Sequence, residues 1–101
     1  MEDNNVNKRN ILEILQSYKK EAAQKYGILD IGVFGSAARG EVKEESDVDV
    51  VIRILKPDLF LLVGIKNELE KKLHRPVDIV TYRENMNQFL KERIDAEAIY
   101  A

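Results

Sequence analysis

Asp47 and Asp49 stand one valine apart at the end of a stretch, residues 35 to 49, that reads GSAARGEVKEESDVD. In an extended strand alternate side chains share a face, so both carboxylates point the same way. Their backbones then lie roughly 6.5–7 Å apart. At that separation two negative charges repel by roughly 0.6 kcal/mol in water and roughly 2.4 kcal/mol at an effective dielectric of 20. A chain tolerates such a pair beside an apolar strand most easily when a cation neutralises it. Oxygen-only ligands left partly open suit Mg²⁺, which takes one or two carboxylates and completes its shell with waters and phosphates. Asp78 lies in VDIV, flanked by apolar residues as Asp49 is in VDVV. Burying an unpaired carboxylate is costly, so the two strands are expected side by side, with Asp47, Asp49 and Asp78 converging. Three such groups can hold one or two Mg²⁺ ions, and two ions about 3.5–4 Å apart support in-line displacement at phosphorus.

Upstream of the aspartates, Gly35 lets backbone approach a phosphate, and the amides after Ser36 favour an anion if they open a helix. Arg39 is the nearest fork-shaped cation and is suited to outer phosphate oxygens. Together these residues point to a nucleoside triphosphate with Mg²⁺. Competing readings of the same stretch fail on residue type. Gly35 to Gly40 has P-loop spacing, but Glu41-Val42 stands where Lys-Ser/Thr is required. An EF-hand needs an oxygen ligand where Val51 stands, and no glycine follows.

The elements that must position these residues are legible from periodicity. Ile11, Leu15, Tyr18, Ala22 and Tyr26 recur at helical spacing, so residues 7 to 26 read as an amphipathic helix closed by Gly27, behind a frayed start over residues 1 to 6. Ile28 to Phe34 reads as a buried strand. Ser36 is expected to cap a short helix over 37 to 40, and Glu41 to Ser46 form a charged loop. Val48 to Leu55 is a β-branched second strand. Pro57-Asp58 starts a helix with Leu62, Ile65, Leu69 and Leu73 inward, closed by His74-Arg75. Val77 to Thr81 is a third strand. Asn85 is expected to cap a last helix from Met86 to about Ala96, with Phe89, Leu90 and Ile94 inward. Ala98 to Tyr100 reads equally as a helical turn or a short fourth strand. The fold expected is α+β, one domain over residues 1–101, with a small mixed sheet of about three strands and about four helices.

Bulk properties narrow the function. The chain has 101 residues, 45% hydrophobic and 34% charged, with net charge −2. Stable binding to a nucleic-acid backbone would call for a basic excess. There is no cysteine, which fits a reducing cytoplasm. The longest apolar stretch, Asp58 to Ile65, is far too short to cross a membrane. The lone His74 reads as a helix-end charge. Phe60, Tyr82, Phe89 and Tyr100 read as core or partner contacts rather than base-stacking platforms.

Gly35-Ser36, ten residues, then Asp47-x-Asp49 resembles the signature of the nucleotidyltransferase superfamily with the DNA polymerase β-like palm. The size, Arg39-Gly40, Ser46 before the aspartates and the VDIV strand look like its minimal nucleotidyltransferase branch, whose members act as antitoxins of HEPN-domain proteins. The resemblance implies a palm-like fold, Asp47 and Asp49 as metal ligands, and Asp78 as a third ligand or as the acceptor of the attacking hydroxyl's proton. It implies that Gly35 and Ser36 grip the triphosphate, with Arg39 as a phosphate contact. The implied reaction is Mg²⁺-dependent transfer of AMP from ATP to a tyrosine of a HEPN toxin. Two other functions fit the same residues: neutralisation of the partner by binding alone, or nucleotidyl transfer to a small molecule or RNA end.

Overall fold

The computed structural model describes residues 8–41 and 47–101. The expectations for residues 1 to 6 and for the charged loop beyond Glu41, Ser46 included, lie outside the described residues. Helix α1 (Lys8–Tyr26) leads into strand β1 (Ile28–Phe34), then β2 (Val48–Ile54), α2 (Leu59–Leu73), β3 (Val77–Thr81), α3 (Gln88–Glu97) and β4 (Ile99–Tyr100). The sheet order is β3-β2-β1-β4. β1 pairs antiparallel with β2 and with β4. β2 and β3 run parallel, joined by the α2 crossover. The result is the expected mixed α+β sheet, with Ile99–Tyr100 forming a short fourth strand and Ala98 capping α3.

Alternation along the strands divides the molecule into two faces. Val48, Val50 and Ile52 of β2, Ile31 and Val33 of β1 and Val77 of β3 are buried with Ile11, Leu15, Tyr18 and Ala22 of α1 and Ile65, Leu69 and Leu73 of α2. The opposite parity puts Phe34 and Val51 against Ile94 of α3, with Val80, Tyr82, Met86 and Leu90 packed around them. A register shift between Ile28 and Asp30 lets Ile28 and Ile31 both reach the α1 side. At Gly32 a side chain would collide with the carbonyl of Ile99, so glycine is what lets β4 dock on β1.

Helix ends follow local chemistry. Gly27 adopts φ +71°, a conformation in which a Cβ is strained, and terminates α1. Asp58 accepts hydrogen bonds from the amides of Phe60 and Leu61, capping α2. His74 closes α2 in the left-handed conformation, its amide donating to the Glu70 carbonyl.

Three expectations are corrected. Residues 35 to 40 form a run of turns rather than a short helix. Gly35 and Gly40 both have positive φ, which leaves too short a right-handed segment for one to propagate. The cap of α3 is Asn87, whose side chain accepts from the Leu90 amide at 3.0 Å, two residues beyond Asn85. With that start, Leu90 and Ile94 turn inward and Phe89 turns out, 76% exposed.

The two helices on the α1 side are also tied by polar contacts. The hydroxyls of Tyr18 and Tyr26 each donate to Glu68 at 2.8 Å. These bonds hold the Glu68 carboxyl below its ordinary pKa, and burial with the Glu68 contact pushes the Tyr18 hydroxyl up. A depressed carboxyl pKa stabilises the fold above the unfolded pKa and loses that effect as pH falls through the folded value. Tyr18→Phe should therefore lower stability by about 1 kcal/mol at neutral pH, at the low end for a charged hydrogen bond because Glu68 is partly solvated. Thermal melts between pH 3 and pH 7 should show the deficit shrinking toward the acid end.

Candidate active site

β2 and β3 are paired so that Asp49 is the direct neighbour of Asp78. Neighbouring strands lie about 4.8 Å apart, and in-register residues face the same way. Both aspartates therefore project from the α3 side of the sheet, as Val51 and Val80 do one step further along. Asp49 is half-buried and Asp78 exposed. Asp47 is exposed and immediately precedes β2, with the parity of Asp49.

Phe34, the last residue of β1, pairs with Asp49, and Gly35 follows with φ +68°. That conformation alone favours glycine, and a second constraint is added by packing. A Cβ on Gly35 would sit 2.5 Å from Oδ2 of Asp49, so the Asp49 carboxylate occupies the space that a side chain would need. Glycine here gives a carboxylate its seat, a constraint added to the close approach of a phosphate that the sequence suggests. Ser36 is half-buried, and its carbonyl accepts from the Glu41 amide at 2.8 Å. Ala37 and Ala38 are buried behind the turn.

α3 contributes two residues that periodicity did not single out. Glu97 Oε1 accepts from the Gly35 amide at 3.0 Å and from Arg39 Nη1 at 3.3 Å, and lies 3.7 Å from Arg93 Nη2. Arg93 rests over the Phe34 ring, 5.6 Å from its centre. Arg39 is also bonded through Nε to Glu41 at 2.9 Å. An i,i+4 Arg93–Glu97 pair on a mixed-charge helix looks like an ordinary solvated ion pair; only its position against Phe34 and Gly35 gives it a role.

The electrostatics follow from this crowding. Burial raises the Asp49 pKa, repulsion from Asp78 and Asp47 adds to it, and Arg93 and Arg39 act in the opposite sense. Among the described residues, no three His, Cys, Asp or Glu side chains are gathered closely enough to hold a metal ion by themselves. The expected convergence of three carboxylates is thus seen as an aligned pair, Asp49 and Asp78, with Asp47 at the strand entrance where it is not locked by strand pairing. The donor set still fits Mg²⁺: it is all oxygen, it is open, and its like charges lack sufficient compensation. One or two carboxylates are what Mg²⁺ usually takes from a protein when phosphates supply the rest.

A family model for the nucleotidyltransferase domain matches residues 15–101. The chain belongs to the nucleotidyltransferase family. It is 38% identical over 91 residues to a candidate protein adenylyltransferase of Methanocaldococcus jannaschii, covering 89% of this chain and 93% of that one. It is 35% identical over 91 residues to the protein adenylyltransferase MntA of Thermococcus cleftensis, covering 89% and 91%. A solved structure of a candidate minimal nucleotidyltransferase superposes with a TM-score of 0.70 at 33% identity, covering 87% and 93%. The same fold appears, at 17% identity and a TM-score of 0.59, in a solved complex of a tri-AMPylated HEPN toxin of Shewanella oneidensis with an MNT antitoxin, covering 92% and 66%. The resemblance to the minimal branch is thereby borne out. As a nucleotidyltransferase, this chain is an enzyme with a nucleotide substrate.

Two expected outcomes follow from the nucleotidyltransferase site. A carboxyl whose folded pKa is raised weakens the fold once ionised, and the penalty is absent below the unfolded value of about 3.9. Asp49→Asn should therefore raise the melting temperature of the metal-free protein at pH 7 by a few degrees, at about 4–8 °C per kcal/mol for a domain near this size. The gain should fade as the melt is repeated down to pH 4. Gly35→Ala combines a strained φ with a collision against Asp49, and should cost about 1–3 kcal/mol in a urea titration.

Proposed function

We propose that this nucleotidyltransferase is an Mg²⁺-dependent antitoxin that transfers AMP from ATP to a tyrosine hydroxyl of a HEPN-domain toxin and so neutralises it. The observation that carries the reading is the in-register pair Asp49 and Asp78 beside the Gly35-Ser36 turn. Support comes also from relatives named as protein adenylyltransferases and from the fold shared with an MNT antitoxin in complex with an AMPylated HEPN toxin.

The reaction balances simply. The tyrosine oxygen attacks the α-phosphorus of ATP, the bond from that phosphorus to the oxygen bridging to the β-phosphate breaks, and pyrophosphate leaves. The phenolic proton passes to a carboxylate. Asp78 is suited to that role: it is exposed at the open edge of the site, where an incoming protein side chain can reach it. Asp49 and Asp47 are the metal-holding pair, Asp49 fixed by its seat against Gly35. When bound, Mg²⁺ would neutralise the carboxylates and the developing charge on the phosphoryl oxygens. Ser36 and the amides that directly follow it in the turn face the triphosphate in this reading, since those of Gly35, Arg39 and Gly40 are already bonded within the protein. No histidine or cysteine is needed, so catalysis rests on positioning and charge rather than on a covalent enzyme intermediate. The acceptor hydroxyl arrives on the partner protein.

Purified protein, ATP, Mg²⁺ and the cognate toxin should give a toxin whose mass has increased by one or more AMP units. Loss of even an outer partner of a metal ligand costs 10–100-fold, so Asp49→Asn should slow transfer by at least about 100-fold. A toxin that stays unmodified while ATP is demonstrably bound would refute the transfer reaction. Neutralisation that survives loss of Asp47, Asp49 and Asp78 together would show that binding alone suffices.

A further inference from the structure

We propose that Arg93 is the phosphate-contacting cation of this site, positioned for that task by Glu97 and Phe34, and that Arg39 serves chiefly to brace the turn. The inference rests on the nucleotide reading of the site but not on the identity of the acceptor. The position that a Gly35 Cβ would occupy lies 2.5 Å from Asp49 Oδ2 and 3.4 Å from Arg93 Nη2. The guanidinium therefore stands within about 6 Å of the carboxylate that would hold the metal, on the side opposite Asp78's strand. A phosphate held at Asp49 would lie within reach of it.

Three features make Arg93 fit to receive an anion. Its plane lies over the Phe34 ring, which restricts the side chain and reduces the ordering cost of binding. Its contact with Glu97 is an ion pair at 3.7 Å, longer than a hydrogen bond, so it restrains the group without consuming its donors. Its side chain is 43% exposed. A guanidinium has five N–H donors in a fixed fork suited to phosphate oxygens. Arg39 is about as exposed, at 48%, but differs in its contacts. It is committed at 2.9 Å to Glu41 and at 3.3 Å to Glu97, and these contacts tie the Glu41 end of the turn to α3, as the Gly35 amide ties the other end. Glu97 gathers the Gly35 amide and both arginines on a single oxygen. It is a positioning residue: it sets where Arg93 sits relative to the turn.

The test is direct binding by calorimetry in Mg²⁺, with no acceptor present, comparing ATP with AMP. Arg93→Ala should weaken ATP binding roughly 10- to 100-fold, the worth of a charge-assisted hydrogen-bonding group, and leave AMP affinity unchanged, because the lost contact is to the tail. Arg93→Lys should restore part of the preference for ATP. Arg39→Ala should lower melting temperature more than it lowers ATP affinity. Arg93→Gln, which keeps the cover over Phe34, carries the comparison if the alanine variant is poorly folded. Unchanged ATP affinity in the Arg93 variants, or equal losses for ATP and AMP, overturns the assignment while leaving the proposed reaction standing. A larger ATP defect in Arg39→Ala than in Arg93→Ala overturns it as well. Wild-type protein that binds no ATP overturns both the assignment and the proposed reaction.

Discussion

Two carboxylates held side by side on neighbouring parallel strands are an electrostatic cost that the rest of the chain must carry. Asp49 and Asp78 are direct neighbours in the β2–β3 ladder, and neither can turn away without giving up the strand that bears it. The sheet holds them because the opposite parity of the same strands is deeply buried: Val48, Val50 and Ile52 are fully shielded, as are Ile65 and Leu69 of the crossover helix. A slip of one residue in β2 would move Val48, Val50 and Ile52 to the wrong face. Apolar burial on the α1–α2 side thus enforces charge proximity on the α3 side. A bound cation would relieve that repulsion.

α3 is the element that turns the acidic ledge into a site. It covers only the apolar part of its face, where Ile94 meets Phe34 and Val51, and leaves the aspartates open. Its C-terminal half supplies Arg93 and Glu97, one helical turn apart, at the end of β1. Glu97 then satisfies the buried Gly35 amide that the chain reversal takes out of the strand ladder. The left-handed Gly35 joins these parts: its φ turns the chain out of β1, its missing side chain makes room for Asp49, and its amide anchors α3.

Much of this was readable in advance. The stripe Ile11, Leu15, Tyr18, Ala22 announced α1 because a helix repeats its face every three or four residues, and all four are buried. β-branched runs announced β2 and β3, and Pro57-Asp58 announced α2 with Asp58 as its cap. The failures were local choices between near-equal options. Asn85 and Asn87 are both competent caps, and the winner decides whether Phe89 faces in or out. Residues 37 to 40 have helix-forming alanines, but the positive φ at both flanking glycines is a property of the chain's path, not of the alanines. Arg93 and Glu97 left no signal because a solvated i,i+4 ion pair and a site-building one have the same sequence.

Residue type and spacing alone singled out the aspartates and the Gly35-Ser36 turn as candidates, and determined the two-faced character of each strand and the family to which the chain belongs, because periodicity and motif are properties of neighbours along the chain. Which strands sit side by side, that Asp78 falls opposite Asp49 and not one step away, and that an arginine and a glutamate from the last helix close around Gly35 were decided only on folding. These depend on register and helix docking between segments far apart in sequence, and register is set by the summed burial of a whole core, which no short stretch encodes.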